Sequence, residues 1–251
     1  MPSLKAKLKH NSKLSCAICT IPSATVTQAM AASGLDSVII DLEHGAVDYG
    51  SAHAMIAATN GSGCAPLVRV AENDDAQVKR VLDLGAEGIV FPLIRTTADA
   101  ERAVASMRYP PRGTRGFGPF IAQSRWGTSL PTYQADVEDE LVCCLLIETP
   151  EAVENIDAIC AVDGVDVVVL AVFDLSTTMG ISGQFEHPDF KAACAKVEEA
   201  SRRNGVPISG VAFSQEQAKA LFARGYRMIA GFDILWLRAN ASQLTGWCAD
   251  A

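Results

Sequence analysis

The chain has 251 residues, 49% of them hydrophobic, and its 21 basic and 29 acidic side chains give a formal charge of -8. That length and apolar content suffice for one large α/β core, so a single domain over 1–251 is expected. The acidic balance leaves no broad basic face for phosphates, which argues against a nucleic-acid partner.

Lys5, Lys7, Lys9 and Lys13 precede a moderately apolar stretch and superficially resemble a secretion signal. Pro22 and several threonines interrupt that stretch, and no run is long enough to span a bilayer, so a cytoplasmic protein without a membrane partner is expected. Short β-branched runs then recur, each followed by a segment with helical spacing. Strands are expected over 15–20, 37–42, 66–70, 88–93, 141–147, 165–171, 206–211 and 227–230. Helices are expected over 24–33, 51–59, 75–84, 97–107, 150–161, 188–204, 214–223 and 234–241. Pro150 and Pro188 suit first helical turns, and Gly34, Gly85, Gly205 and Gly225 stand where left-handed caps end helices. Eight strands alternating with eight helices predict an α/β fold, a closed (β/α)8 TIM barrel rather than an open sheet. The rhythm breaks over 108–140, which opens RYPPRGTRGFGPF. That segment reads either as a surface excursion with a short helix or as a loop packed on another subunit.

The eight cysteines are scattered and read as buried free thiols. Cys16 and Cys19 form a C-x-x-C on an expected strand, where an offset of three sends the side chains to opposite faces and disfavours a redox pair or a shared metal.

In a TIM barrel the reacting groups sit where strands end, on the face built by the βα loops. The polar residues ending apolar runs are Asp41, Glu43 and His44 in DLEHG, Arg69 in PLVRV, Glu148 after CCLLI and Asp174 after VVVLAVF. Glu148 and Asp174 emerge from strands expected to be buried on both faces, where an unpaired charge is costly. A shared divalent cation would resolve that cost, and oxygen ligands suit Mg or Mn, with Co or Zn as alternatives. The competing reading is two ordinary strand-end acids that cap helices or face water. His44 can exchange a proton near neutral pH with its ring oriented by a neighbouring carboxylate, or it is a plain loop histidine beside Gly45, whose backbone freedom allows the turn. Arg69 either grips a carboxylate or enolate oxygen or forms a salt bridge inside the mouth. His10, His53 and His187 carry no expected role. Phe117, Phe120, Phe173, Phe213 and Trp236 either line a substrate pocket or, the commoner fate, pack in the core. No P-loop, post-strand G-x-G-x-x-G or G-x-S-x-G elbow occurs.

Taken in order, IDLEHG at 40–45, LVRVAEND at 67–74, RYPPRGTRGFG at 108–118, IETPEAVENID at 147–157 and FDLSTTMG at 173–180 resemble the HpcH/HpaI aldolase and citrate lyase family of pyruvate-dependent class II aldolases, along nearly the whole chain. The resemblance implies that Glu148 and Asp174 bind the divalent cation and that Arg69 contacts the oxo oxygen of a pyruvate unit. It further implies that backbone amides of Phe173 and Asp174 receive the carboxylate. His44, oriented by Asp41, would be the acid-base residue at the alcohol that becomes an aldehyde. It also implies a homohexamer with the segment around Arg115 to Phe120 near a neighbour's site. Two positions depart from the family pattern: Ala171-Val172 where many members have Gly-Pro, and Leu146 where many have glutamine. The expected activity is reversible cleavage of 4-hydroxy-2-oxo acids to a small 2-oxo acid and an aldehyde. The alternatives are a related 2-oxo acid decarboxylase or acyl-CoA lyase, and a non-catalytic binding protein.

Overall fold

The computed structural model describes residues 2–10 and 13–249, so the expected domain limits at 1 and 251 fall outside the described residues. Eight parallel strands close in chain order: β1 (Leu14–Cys19), β2 (Ser37–Asp41), β3 (Ala65–Arg69), β4 (Gly88–Phe91), β5 (Val142–Ile147), β6 (Val167–Leu170), β7 (Ile208–Val211) and β8 (Met228–Phe232), the last pairing with β1. The expected (β/α)8 barrel is therefore present. Alternate strand residues point to opposite faces. Cys16, Ile39, Leu67, Val90, Cys144, Leu146, Val167, Met228 and Ala230 fill the barrel interior, and the other parity packs under the helices. Cys16 belongs to the interior and Cys19 to the helix layer, as the strand offset requires. Seven cysteines are buried and free, and Cys248 is exposed. Burial pushes the Cys16 thiol up to about 12, so it stays protonated near neutral pH.

The first helix, α1 (Leu4–Lys9), was not expected. Its Leu4 and Leu8 close the barrel interior, Lys7 pairs with Asp36 at 2.8 Å, and Lys5 Nζ lies 3.2 Å from Asp166. Two of the four lysines ahead of the apolar stretch, Lys5 and Lys7, thus pin this helix to the barrel. The layer continues with α2 (Ala24–Ala32), α3 (Tyr49–Ala58), α4 (Asp75–Asp83) and α5 (Thr97–Met107). Ser23, Asp48 and Asp74 cap the first three, and Thr96 with Asp99 forms a capping box on the fourth. Gly34, Gly85, Gly205 and Gly225 all have positive φ, as their cap positions require.

The 108–140 segment carries α6 (Ala122–Trp126) and α7 (Tyr133–Val137) and folds onto its own subunit. Arg115 is buried against Asp83 at 2.8 Å, and Glu138 accepts from the Tyr109 amide and from Arg112. Phe117, Phe120 and Ile121 remain exposed on it. The helix expected over 150–161 is two, α8 (Pro150–Glu154) and α9 (Ile156–Cys160). They break at Asn155, whose Nδ2 donates to the Arg95 carbonyl at 2.9 Å. After β6 comes an unexpected short helix, α10 (Val172–Thr178), before α11 (Pro188–Asn204) and α12 (Gln215–Ala223). The last helix, α13 (Asp233–Ala249), runs past its expected end and is exposed from Ile234 onward. No helix among the described residues is long and apolar enough to cross a membrane.

Candidate active site

Asp41 and Arg69 stand opposite each other in the β2–β3 register, each two residues beyond an interior residue, Ile39 or Leu67. Both side chains therefore enter the mouth at the C-terminal end of the barrel. Arg69 Nε donates to Asp41 Oδ1 at 2.9 Å and Nη2 to Oδ2 in a fork-to-carboxylate pair. Burial works against the Arg69 charge, but Asp41 and then Glu43 outweigh it and hold the guanidinium above its ordinary range. Of the two readings of Arg69, the salt bridge is present.

Asp41, which the resemblance implies orients His44, reaches that residue here through its backbone amide. Asp41 Oδ1 accepts the backbone amides of Glu43 and His44 at 3.0 and 3.1 Å, and both its oxygens hold Arg69. It fixes the loop that carries His44, and the carboxylate beside the ring is Glu43, with Oε2 3.8 Å from Nε2. The His44 side chain is 62% exposed, so it is open to a ligand. Gly45 is required for space rather than for unusual dihedrals: a Cβ there would lie 2.3 Å from the Asp41 carbonyl oxygen.

Glu148 follows β5 two residues after interior Leu146 and is 5% exposed. Its Oε1 accepts the amide of Leu93, which holds a left-handed φ of 56°. That conformation is unfavourable for a leucine, and it aims a backbone donor at the carboxylate. Burial pushes the Glu148 carboxyl above its ordinary range, the Leu93 bond opposes this, and the charges of Asp174 and Glu43 add to it. Asp174 is exposed in the first turn of α10, so the burial cost expected for both acids applies only to Glu148. Thr178 Oγ1 donates to the Glu148 carbonyl at 2.8 Å and ties α10 to the end of β5. Leu175 is the amide that closes onto Ala171, at 2.9 Å, and those of Phe173 and Asp174 precede it in the turn.

Glu43 was passed over in the sequence beyond its place next to His44. Its carboxyl is pushed up by burial, then lowered by Arg69 and His44 and raised by Asp41 and Asp174. Arg69 Nη1 lies 3.2 Å from Glu43 Oε2 without the alignment of a hydrogen bond, leaving that oxygen buried and without a hydrogen-bond partner. Among the described residues no three His, Cys, Asp or Glu side chains form a metal cluster. A cation would rest on Glu148 and Asp174, with Glu43 nearby and ligand or water oxygens completing its shell. An all-oxygen set with excess negative charge in a partly buried mouth fits a hard divalent ion.

Across the mouth, Phe173, Phe213 and Phe232 form a continuous aromatic strip, with ring centroids 5.8 Å apart for the first pair and 6.4 Å for the second. Phe232 was also missed, although its position two residues past interior Ala230 carries the signal. Leu93 offered none, because its left-handed backbone is set by the surrounding loops. Phe117, Phe120 and Trp236 are exposed and outside this strip.

The motifs at 40–45, 67–74, 147–157 and 173–180 thus converge on one barrel mouth, and a profile of the HpcH/HpaI aldolase/citrate lyase family matches residues 20–239. The chain belongs to the HpcH/HpaI aldolase/citrate lyase family. It is a carbon-carbon lyase. As an HpcH/HpaI member it is 34% identical over 223 residues to 2-dehydro-3,6-dideoxy-6-sulfogluconate aldolase of Pseudomonas putida, covering 88% of this chain and 87% of that protein. It is 33% identical over 227 residues to hydroxypyruvate/pyruvate aldolase of Rhizorhabdus wittichii, covering 89% of each. The crystal structure of the HpcH/HpaI aldolase from Desulfitobacterium hafniense DCB-2 superposes with a TM-score of 0.92 at 29% identity, over 100% of this chain and 98% of that one.

Proposed function

We propose that this lyase is a divalent-metal-dependent aldolase that joins pyruvate, or a pyruvate-like 2-oxo acid, to an aldehyde and cleaves the 4-hydroxy-2-oxo acid product. The observation that carries the reading is Glu148, buried and bound to the Leu93 amide at the mouth that also holds Arg69 paired with Asp41. Relatives named as aldolases, one of them a hydroxypyruvate/pyruvate aldolase, support it.

Glu148 and Asp174 would hold the cation, with Mg or Mn the best match to their oxygens and Co or Zn as alternatives. When bound, it would supply Lewis-acid polarisation of the oxo group next to the reacting methyl. Arg69, held by Asp41, would put its guanidinium where negative charge develops on the oxo oxygen. The amides of Phe173 and Asp174 would receive the substrate carboxylate. Condensation removes one proton from the methyl carbon, forms the carbon-carbon bond and returns one proton to the former aldehyde oxygen. In cleavage His44, directly or through a water, takes that proton from the hydroxyl as the bond breaks. Asp41 is a positioning residue, acting through Arg69 and the His44 backbone.

Release of pyruvate from a panel of hydroxy-oxo acids, with and without chelator, tests the proposal. Turnover that depends on Mg or Mn supports it, and equal turnover in chelator refutes it. We also take 1–251 as one catalytic domain in the cytoplasm and propose a homo-oligomer, a hexamer by resemblance. Exposed Leu237, Leu244 and Trp247 on α13 and Phe117 and Phe120 on the long connection support assembly. A monomer in sedimentation at assay concentration would count against it.

A further inference from the structure

The mouth occupies one end of the barrel, and the opposite end holds a second concentration of charge. A cavity of about 370 Å³ opens there between α1 and the C-terminal ends of α11 and α12. Lys9, Arg202, Arg224 and Arg227 line it, against one acid, Glu198. We infer that this cavity binds a small phosphate monoester, a dianionic head on a compact, partly apolar body.

The cations outnumber their partners. Glu198 accepts from Arg224 Nε at 3.3 Å and from its Nη2, and takes the Tyr226 hydroxyl at 3.0 Å as well. The neighbouring Lys7 and Arg203 pair with Asp36 and Asp157, whereas Lys9, Arg202 and Arg227 pair with no acid among the described residues. Like charges gathered on one cavity repel, and in a chain of net charge -8 their grouping needs a cause. A dianion held between two guanidinium forks and an ammonium removes the repulsion and gains charge-assisted hydrogen bonds.

Helix capping does not account for these side chains. Basic residues in a last turn often serve its open carbonyls. Here backbone amides serve them: Gly205 donates to the Arg202 carbonyl at 3.4 Å and Val206 to that of Ser201 at 3.0 Å. At the end of α12, Gly225 donates to Phe222 at 3.1 Å and Tyr226 to Leu221 at 3.2 Å. The cations are surplus to capping. Nor does the proposed chemistry use them, since the reacting groups of such a barrel stand at its other end.

The cavity also has the build of a ligand site. Leu8, Val206 and Ile208, none more than 9% exposed, give it an apolar floor. Arg227 is fixed at the start of β8, its amide donating to the Ile208 carbonyl at 2.8 Å and its carbonyl accepting the Leu14 amide at 2.8 Å. A guanidinium on an anchored backbone loses less freedom when it grips a phosphate. The volume leaves room for a short organic body beside that head.

Calorimetric titration of phenyl phosphate and of sulfate into the full chain tests the inference, in chelator so that no cation at the mouth collects the anion. Phenyl phosphate should bind about tenfold or more tightly than sulfate, because its ring covers the apolar floor, and its affinity should fall as salt rises. The exposed pair Lys9→Gln and Arg202→Gln, made together, should weaken it about tenfold or more, with the melting temperature and the lyase turnover unchanged. Arg203→Gln, which removes an equal charge next to the cavity but outside its lining, should leave it nearly intact. Equal affinity for sulfate would reduce the cavity to a counter-ion patch and overturn the inference. Binding untouched by the Lys9 and Arg202 changes, or weakened as much by Arg203→Gln, would place the anion elsewhere or assign it to net charge, and either result overturns it. So does absence of phenyl phosphate binding at low ionic strength.

Discussion

Asp41 and Arg69 are register partners on adjacent parallel strands, and their side chains meet again above the barrel, with Nε 2.9 Å from Oδ1. One strand pairing thereby sets both the backbone ladder and the charge geometry of the mouth. Asp41 is fully buried, and its Oδ1 also accepts the amides that begin the His44 loop.

Asp41→Ala should therefore destabilise the fold by about 3–5 kcal/mol, because it leaves a largely buried guanidinium without its main partner. Asp41→Asn should cost less, since the amide oxygen still accepts from the backbone. Urea unfolding of the two variants checks this, and equal midpoints for Asp41→Ala and the parent protein would contradict it.

His44 presents most of its side chain to solvent and has little packing to lose. His44→Ala should lower kcat/KM about 10²- to 10⁴-fold, the ordinary worth of a positioned acid-base group, with an unchanged unfolding midpoint. Steady-state cleavage measured beside thermal melting separates the two effects.

Glu148→Gln retains an oxygen for the Leu93 amide but removes a charge from beside Asp174 and Glu43. The variant should lose the rise in melting temperature that Mg or Mn gives the parent protein, because only a folded state that binds the ion is stabilised by it. Without metal it should melt no lower than the parent. A metal-dependent rise of the same size in both would show that the ion rests elsewhere.

The pH response follows from the same carboxyls. Burial, the largest cause, raises Glu43 and Glu148 above the ordinary glutamate value of 4.5. Groups raised in the folded state contribute stability that is complete below the unfolded value and lost as pH rises through the folded one. In chelator, the parent should lose stability relative to Glu148→Gln as pH increases from 4.5 through the folded Glu148 value. Cation affinity should run the other way and weaken as pH falls through that range, since the ion competes with protons. Unfolding curves and metal titrations across that window provide the check.

The run of eight strands and the strand-end places of Asp41, Arg69 and Glu148 were legible in the sequence because hydrophobic period is written over a few consecutive residues. The same local code marked Gly34, Gly85, Gly205 and Gly225 as helix ends and sent Cys16 and Cys19 to opposite faces. Closure of the barrel decided what no local pattern carries. It set Leu93 against Glu148 across 55 residues, broke the 150–161 helix on the Arg95 carbonyl, and gave Arg69 to Asp41 while leaving a Glu43 oxygen without a hydrogen bond. It also drew Phe173, Phe213 and Phe232 from three strand ends into one strip and left α13 standing exposed beside the barrel. Partner choice among distant groups depends on which of them the closed sheet brings within a few ångströms, a distance that a single strand or helix does not encode.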